Sequence, residues 1–259
     1  MTPDTTDAAS TLSDTVRSQL EVLDGSAERL AALVGPLTPD ELRQGAYPSE
    51  WTIADVLSHI GSGAVITRGH FDDGLDMQAV WDEWNAKTPE AQAADVLLAD
   101  RALLGRLAEL TPEDETQRTF AMGPMELDLT TYLGLRINEH ALHTWDVAVT
   151  YDPSATVPEE AAALVVDTLP MMARFAGKPT GSARSITIRT TSPTRHITAT
   201  LTPDGVTLAP SDPADQPDLE LPAEALVRLV FGRLDAAHTP AVDGNQDDLD
   251  ELRRAFPGF

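Results

Sequence analysis

The segment Leu129–Ala148, LTTYLGLRINEHALHTWDVA, sets ionisable side chains at helical spacing in an otherwise apolar stretch. Tyr132, Arg136, Glu139, His143 and Asp146 follow one another at intervals of 4, 3, 4 and 3, which places all five on one face of a helix. Leu133, Leu135, Ile137, Leu142 and Val147 point in the neighbouring directions, so the helix is expected to be wrapped on several sides. A polar stripe on such a helix is costly unless its groups pair, hydrogen-bond or bind a metal. Glu139 and His143, one turn apart, could share a divalent ion. Glu-x-x-x-His is equally the signature of an i,i+4 pair on a solvated face.

Another ligand comes from a second segment, Trp51-Thr-Ile-Ala-Asp-Val-Leu-Ser-His59, in which Ile53, Val56, Leu57 and Ile60 form an apolar face with His59 at its edge. His59, Glu139 and His143 would make a His₂Glu set, a three-ligand pattern of catalytic zinc that leaves a fourth position for water or substrate. Asp55 and Asp146 lie one turn from His59 and His143 and could orient the two imidazoles. His140 is turned by ~100° from Glu139 and should face elsewhere. His70, His196 and His238 have no ligand spacing with neighbours, and Trp51, Trp81, Trp84 and Trp145 read as packing residues.

The elements that must hold these groups follow from periodicity. A first helix is expected from Thr6 to Val34, a second from Trp51 to Phe71 closed by Asp72-Asp73-Gly74, a third from Pro89 to Leu110, and a fourth from Pro124 to Val149. Four long amphipathic helices in the first ~150 residues predict a bundle, where ligand sites are built from facing helices. After Tyr151-Asp152-Pro153 the pattern changes. A helix near Pro158–Phe175 precedes strands of period two at Arg184–Thr191 and Arg195–Thr202, with further strands at Val206–Leu208 and Leu219–Leu221. Helices at Pro222–Phe231 and Asp247–Phe256 complete a smaller α+β unit with an antiparallel sheet. The expected organisation is an α+β two-domain chain, a four-helix bundle over 1–152 and the α+β domain over 153–259.

Composition narrows the function. The 259 residues suggest two cores at ~150 residues per domain. With 42 Asp and Glu against 18 Lys and Arg the net charge is −24, which disfavours nucleic acid and anionic membrane surfaces as partners. The start, MTPDTTDAASTLSD, has no basic region followed by an apolar one, and a cytoplasmic location is expected. Lys87 and Lys178 are the only lysines, leaving 16 arginines, a bias associated with GC-rich bacteria such as actinomycetes. Cysteine is absent, so thiol chemistry requires sulfur from a bound small molecule.

Together, the Trp51–His59 segment and Arg136-Ile-Asn-Glu-His-Ala-Leu-His-Thr-Trp-Asp-Val147 resemble the two signature segments of the mycothiol-dependent maleylpyruvate isomerase family. Leu229-Val-Phe-Gly-Arg-Leu234 resembles part of that family's second domain. The resemblance implies a DinB-like bundle followed by a sterol-carrier-protein-like domain, with zinc held by His59, Glu139 and His143. It also implies mycothiol as the source of the thiol and an electrophilic small molecule as substrate. A zinc-bound thiolate would add to a conjugated cis double bond, rotation would follow, and elimination would release the trans product. Without elimination the protein would be a mycothiol S-transferase. A non-catalytic ligand-binding or regulatory member, or a hydrolase using metal-bound water with His140 or Asp146 as base, are the alternatives. For an anionic substrate the candidate catalytic arginines are Arg233, the preferred clamp, and Arg136, with Arg68 behind them. Oligomeric state is not encoded in any motif.

Overall fold

The computed structural model describes residues 11–47, 50–72, 74–123 and 125–258. The chain separates into two compact units, Met1–Val147 and Ala148–Phe259.

The first unit is built on four long helices, α1 (Asp14–Val34), α3 (Ile53–Phe71), α5 (Pro89–Leu107) and α7 (Leu129–Tyr151), joined by short α2 (Pro39–Leu42), α4 (Met77–Asn85) and α6 (Pro112–Gln117) and a hairpin of β1 (Thr119–Met122) and β2 (Met125–Asp128). Each helix begins where a side chain can take an otherwise unpaired backbone N–H. Ser13 caps α1, Thr88 caps α5 with Pro89 behind it, and Thr52 caps α3 in a box with Asp55. The core joins Leu30 of α1, Ile53, Val56, Leu57 and Ile60 of α3, Val96 of α5 and Val147 of α7.

Several expected boundaries move, for local reasons. The first helix starts at Asp14; the expected start at Thr6 lies outside the described residues. The second starts at Ile53 because Thr52 is spent as its cap. Of the turn expected to close it, Asp73 lies outside the described residues. The third stops at Leu107. The fourth was expected from Pro124, itself outside the described residues, but Thr119–Asp128 instead forms the β1–β2 hairpin, turning at Gly123 with φ +58°. Strand pairing there places Phe120 and Leu127 in the interior. Helices α4 and α6 were not anticipated.

In the second unit α8 (Glu159–Val165), a 3₁₀ turn (Val166–Thr168) and α9 (Leu169–Ala176) replace the single expected helix. Pro170 has no N–H to donate and is accommodated in the first turn of α9. The strands β3 (Arg184–Thr191), β4 (Arg195–Thr202), β5 (Gly205–Pro210), β6 (Leu219–Pro222) and β7 (Asp243–Gly244) form one sheet in the order β5-β4-β3-β6-β7. The sheet is antiparallel except where β3 and β6 run parallel, so it is mixed rather than wholly antiparallel. Alternate residues Ile186 and Ile188, Ile197, Ala199 and Leu201, Val206 and Leu208, and Leu219 and Leu221 are buried. Helices α10 (Ala223–Val230) and α11 (Gln246–Ala255) complete the unit, and every residue of α10 is buried.

Candidate metal centre

Helix α7 is buried on nearly all sides, as its residue distribution implies, and its polar stripe divides among three tasks. At its first turn the Tyr132 hydroxyl lies 2.6 Å from His70 Nδ1 on α3 and its ring stacks on Phe120 of the hairpin. Burial pushes the Tyr132 phenol up and the His70 imidazole down. One turn on, Arg136 and His140 engage Asp100 of α5. Beyond them, Glu139 and His143 meet His59 of α3.

One ligand atom each from His59, Glu139 and His143 lies within 4.8 Å of the others. His59 Nε2 is 3.1 Å and His143 Nε2 3.6 Å from the same Glu139 oxygen, Oε2. Donors bound at ~2.0–2.1 Å around a tetrahedral zinc would be ~3.3 Å apart, so the observed spacing and the His₂Glu chemistry both fit such an ion. The His59 and Glu139 side chains are 41 % and 46 % exposed and His143 11 %, which leaves the set accessible from one side.

Neighbours fix the orientation of each donor. His143 Nδ1 lies 2.8 Å from Asp146 Oδ2; a proton held there for the carboxylate leaves Nε2 with its lone pair towards Glu139. Burial lowers the basicity of His143, but the bonds and charges of Asp146 and Glu139 outweigh it and its pKa is raised. Burial likewise opposes ionisation of Glu139, yet the two histidines hold its carboxyl far below the usual range. The Trp51 indole lies over the pair, stacked on His143 at 5.7 Å and 18° and tilted against His59 at 5.3 Å. The chain before α3 secures it: Ala46 N–H donates to Trp51 O and Ile53 N–H to Gln44 O.

Two expected partners are employed elsewhere. Asp55 does not orient His59; its carboxylate accepts from the Thr52 N–H and hydroxyl as the cap of α3. Arg136, expected as a candidate catalytic group, is buried, with Nη2 3.2 Å from Asp100 Oδ1 and 3.1 Å from Ile60 O. His140 faces away from the ligand set, as expected, and lies 3.0 Å from Asp100 Oδ2. His140 and Asp146, the candidate bases of the hydrolytic alternative, are both buried and lie in hydrogen-bond contact with Asp100 and His143 respectively. Arg68 is exposed on α3. In the second unit the Arg233 side chain is buried and Nη1 donates to Phe231 O. It follows Gly232, whose φ of +70° and close approach to Gly258 exclude a side chain.

Sequence reading passed over Trp51 as a site residue and Asp100 altogether. Asp100 had a legible signal: it continues the Val96, Leu103, Leu107 stripe at spacings of 4, 3 and 4, and an acid on that face demands a buried partner.

Two crystal structures share the fold, both of mycothiol-dependent maleylpyruvate isomerase, one of them a point mutant. The mutant is 14 % identical with a TM-score of 0.58 over 88 % of this chain and 92 % of that one. The other is 15 % identical with a TM-score of 0.58 over 85 % and 90 %. No curated protein matches the sequence significantly. Among the described residues no helix is long and apolar enough to cross a membrane. Residues 23–148, which take in most of the helical bundle, match the family described as mycothiol maleylpyruvate isomerase N-terminal domain.

Proposed function

We propose that the chain is a metal- and mycothiol-dependent enzyme acting on an electrophilic small molecule, as an isomerase of maleylpyruvate-like substrates. The convergence of His59, Glu139 and His143 from two helices, at spacings that suit one zinc ion, carries this reading. When bound, zinc would keep the thiol of mycothiol deprotonated at neutral pH, supplying a nucleophile whose reversible addition to a conjugated cis double bond frees that bond to rotate.

The protein's own groups have defined parts in this. Asp146, 2.8 Å from His143 Nδ1, favours the tautomer protonated there, which keeps Nε2 available as a ligand. Glu139 is ionised throughout the physiological range. Trp51 shields the imidazoles from water on one side. For an anionic end of the substrate we propose Arg233, on the strength of its side-chain type and its Gly-Arg-Leu context.

The test is a mycothiol-dependence assay against a panel of electrophiles that includes maleylpyruvate, read by mass spectrometry. Isomer formed only with thiol and metal supports the reading, whereas accumulating adduct would reassign the chain as an S-transferase. Less than a tenth of an equivalent of transition metal after purification without chelator, with no zinc uptake on addition, would overturn it in favour of a non-catalytic binding role.

A further inference from the structure

Beside the ligand set lies a second cluster of buried polar groups that contributes none of its atoms. Asp100 of α5 places one carboxylate oxygen 3.2 Å from Arg136 Nη2 and the other 3.0 Å from His140 Nε2, both on α7. The same Nη2 lies 3.1 Å from the carbonyl oxygen of Ile60 on α3. All three side chains are almost wholly buried, and among the described residues Arg136 Nε has no partner, so the Nη2 contacts set where the guanidinium lies. Its outer nitrogen, Nη1, rests against Gly63 of α3; a Cβ there would fall 2.8 Å from it. The guanidinium moves as one planar unit, so turning Nη1 away from such a Cβ also turns Nη2 against Asp100 and the Ile60 carbonyl.

The position of this cluster along the helices gives it a purpose. Ile60 follows His59, Arg136 precedes Glu139 by one turn, and His140 lies between Glu139 and His143. Three helices are therefore tied together within a turn of every ligand. A metal site needs its donors held to within ~0.5 Å, and such precision comes from supporting bonds around the ligands.

We propose that Arg136, seated on Gly63 and held by Asp100 and the Ile60 carbonyl, is a positioning residue that fixes the separation of His59 from Glu139 and His143. This rests on the metal-binding reading above. The role assigned to Arg136 is therefore mechanical, setting the register of α3 against α7.

The experiment measures zinc affinity by chelator competition, the visible spectrum of the cobalt(II)-loaded full chain, and the thermal midpoint of the metal-free chain followed by tryptophan emission. All four tryptophans, at 51, 81, 84 and 145, belong to the first unit. Gly63→Ala is expected to weaken zinc binding by about 10–100-fold and to alter the cobalt spectrum. The control is Gly105→Ala on α5, where a Cβ meets nothing within 4 Å; it should raise the midpoint through helix propensity and leave zinc affinity unchanged. A purely structural role for the cluster would lower the metal-free midpoint while leaving affinity and spectrum at wild-type values, and that result overturns the proposal. Should Gly63→Ala fail to fold, Arg136→Lys, which keeps the charge and loses the fork, replaces it: weakened zinc binding with an altered cobalt spectrum supports the positioning role, and wild-type values of both overturn it. If wild-type protein itself takes up neither zinc nor cobalt, the metal-binding reading fails, a result distinct from a variant that binds as wild type does.

Discussion

Two groupings of opposite charge, one in each unit, are built differently. In the second, Arg228 grips Glu224 with both ends of its fork, Nε to Oε2 at 2.7 Å and Nη2 to Oε1 at 2.9 Å, while Nη1 donates to the carbonyls of Arg233 and His238. Each arm of the fork takes one carboxylate oxygen, and Oε2 also accepts from the Val157 N–H at 3.4 Å. In the first unit, His59 and His143 both direct Nε2 at one oxygen of Glu139. An arginine fork offers only N–H donors and so marks a structural pair, whereas imidazole nitrogens and a carboxylate, each able to turn a lone pair to the same point, mark a site for a further atom. The Arg228–Glu224 pair is buried while His59 and Glu139 are partly exposed, but what separates the two cases chemically is the lone pairs that the groups can offer.

The largest expected effect sharpens this contrast. His59→Ala or His143→Ala should abolish stoichiometric zinc binding, read by metal analysis, with helical circular dichroism preserved; wild-type occupancy in either would refute the ligand assignment. Next, Glu224→Ala strands the buried Arg228 charge and should cost about 3–5 kcal/mol by calorimetry of the second unit, with zinc affinity at 25 °C unchanged. Asp146→Asn should weaken zinc binding about 10–100-fold, since the imidazole loses the carboxylate that sets its tautomer.

The smallest effect is one of pH. Hydrogen bonds from Ser182 and Thr180, with Arg254 beside them, push the Glu251 carboxyl down to about 2 from an ordinary 4.5. A depressed carboxyl contributes stability that is present above its unfolded value and is lost as pH falls through the folded one. Glu251→Gln should therefore flatten the decline in second-unit stability between about pH 4.5 and pH 2, measured by calorimetric midpoints. An unchanged slope would remove Glu251 from the acid response.

Much of the molecule is readable from its residues alone, for reasons that differ by element. The strands at 184–191 and 195–202 are legible to the residue, because each buries alternate side chains and period two survives in composition. The ligands are legible as a pattern, since Glu139 and His143 share a helix face by spacing alone. Linking His59 to them rests on ligand chemistry, to which the family resemblance adds, because a contact 80 residues apart leaves no mark in local periodicity. Asp55 shows the reverse failure: its spacing from His59 suits an orienting role, but the unpaired N–H groups at the start of α3 are nearer. The β1–β2 hairpin escapes a sequence reading because its strands carry too few residues to establish a period, and the parallel pairing of β3 with β6 because a period carries no strand direction.

The all-round engagement of α7 bears on which sequence changes the chain can survive. Each residue added to or removed from a helix turns everything beyond it by ~100°. A one-residue deletion near Gly134 would therefore swing Arg136, Glu139, His140 and His143 off their partners together, whereas length changes at the Gly123 tip of the preceding hairpin leave that phasing intact. Insertions and deletions among descendants of this sequence should accumulate at the tip and spare the helix.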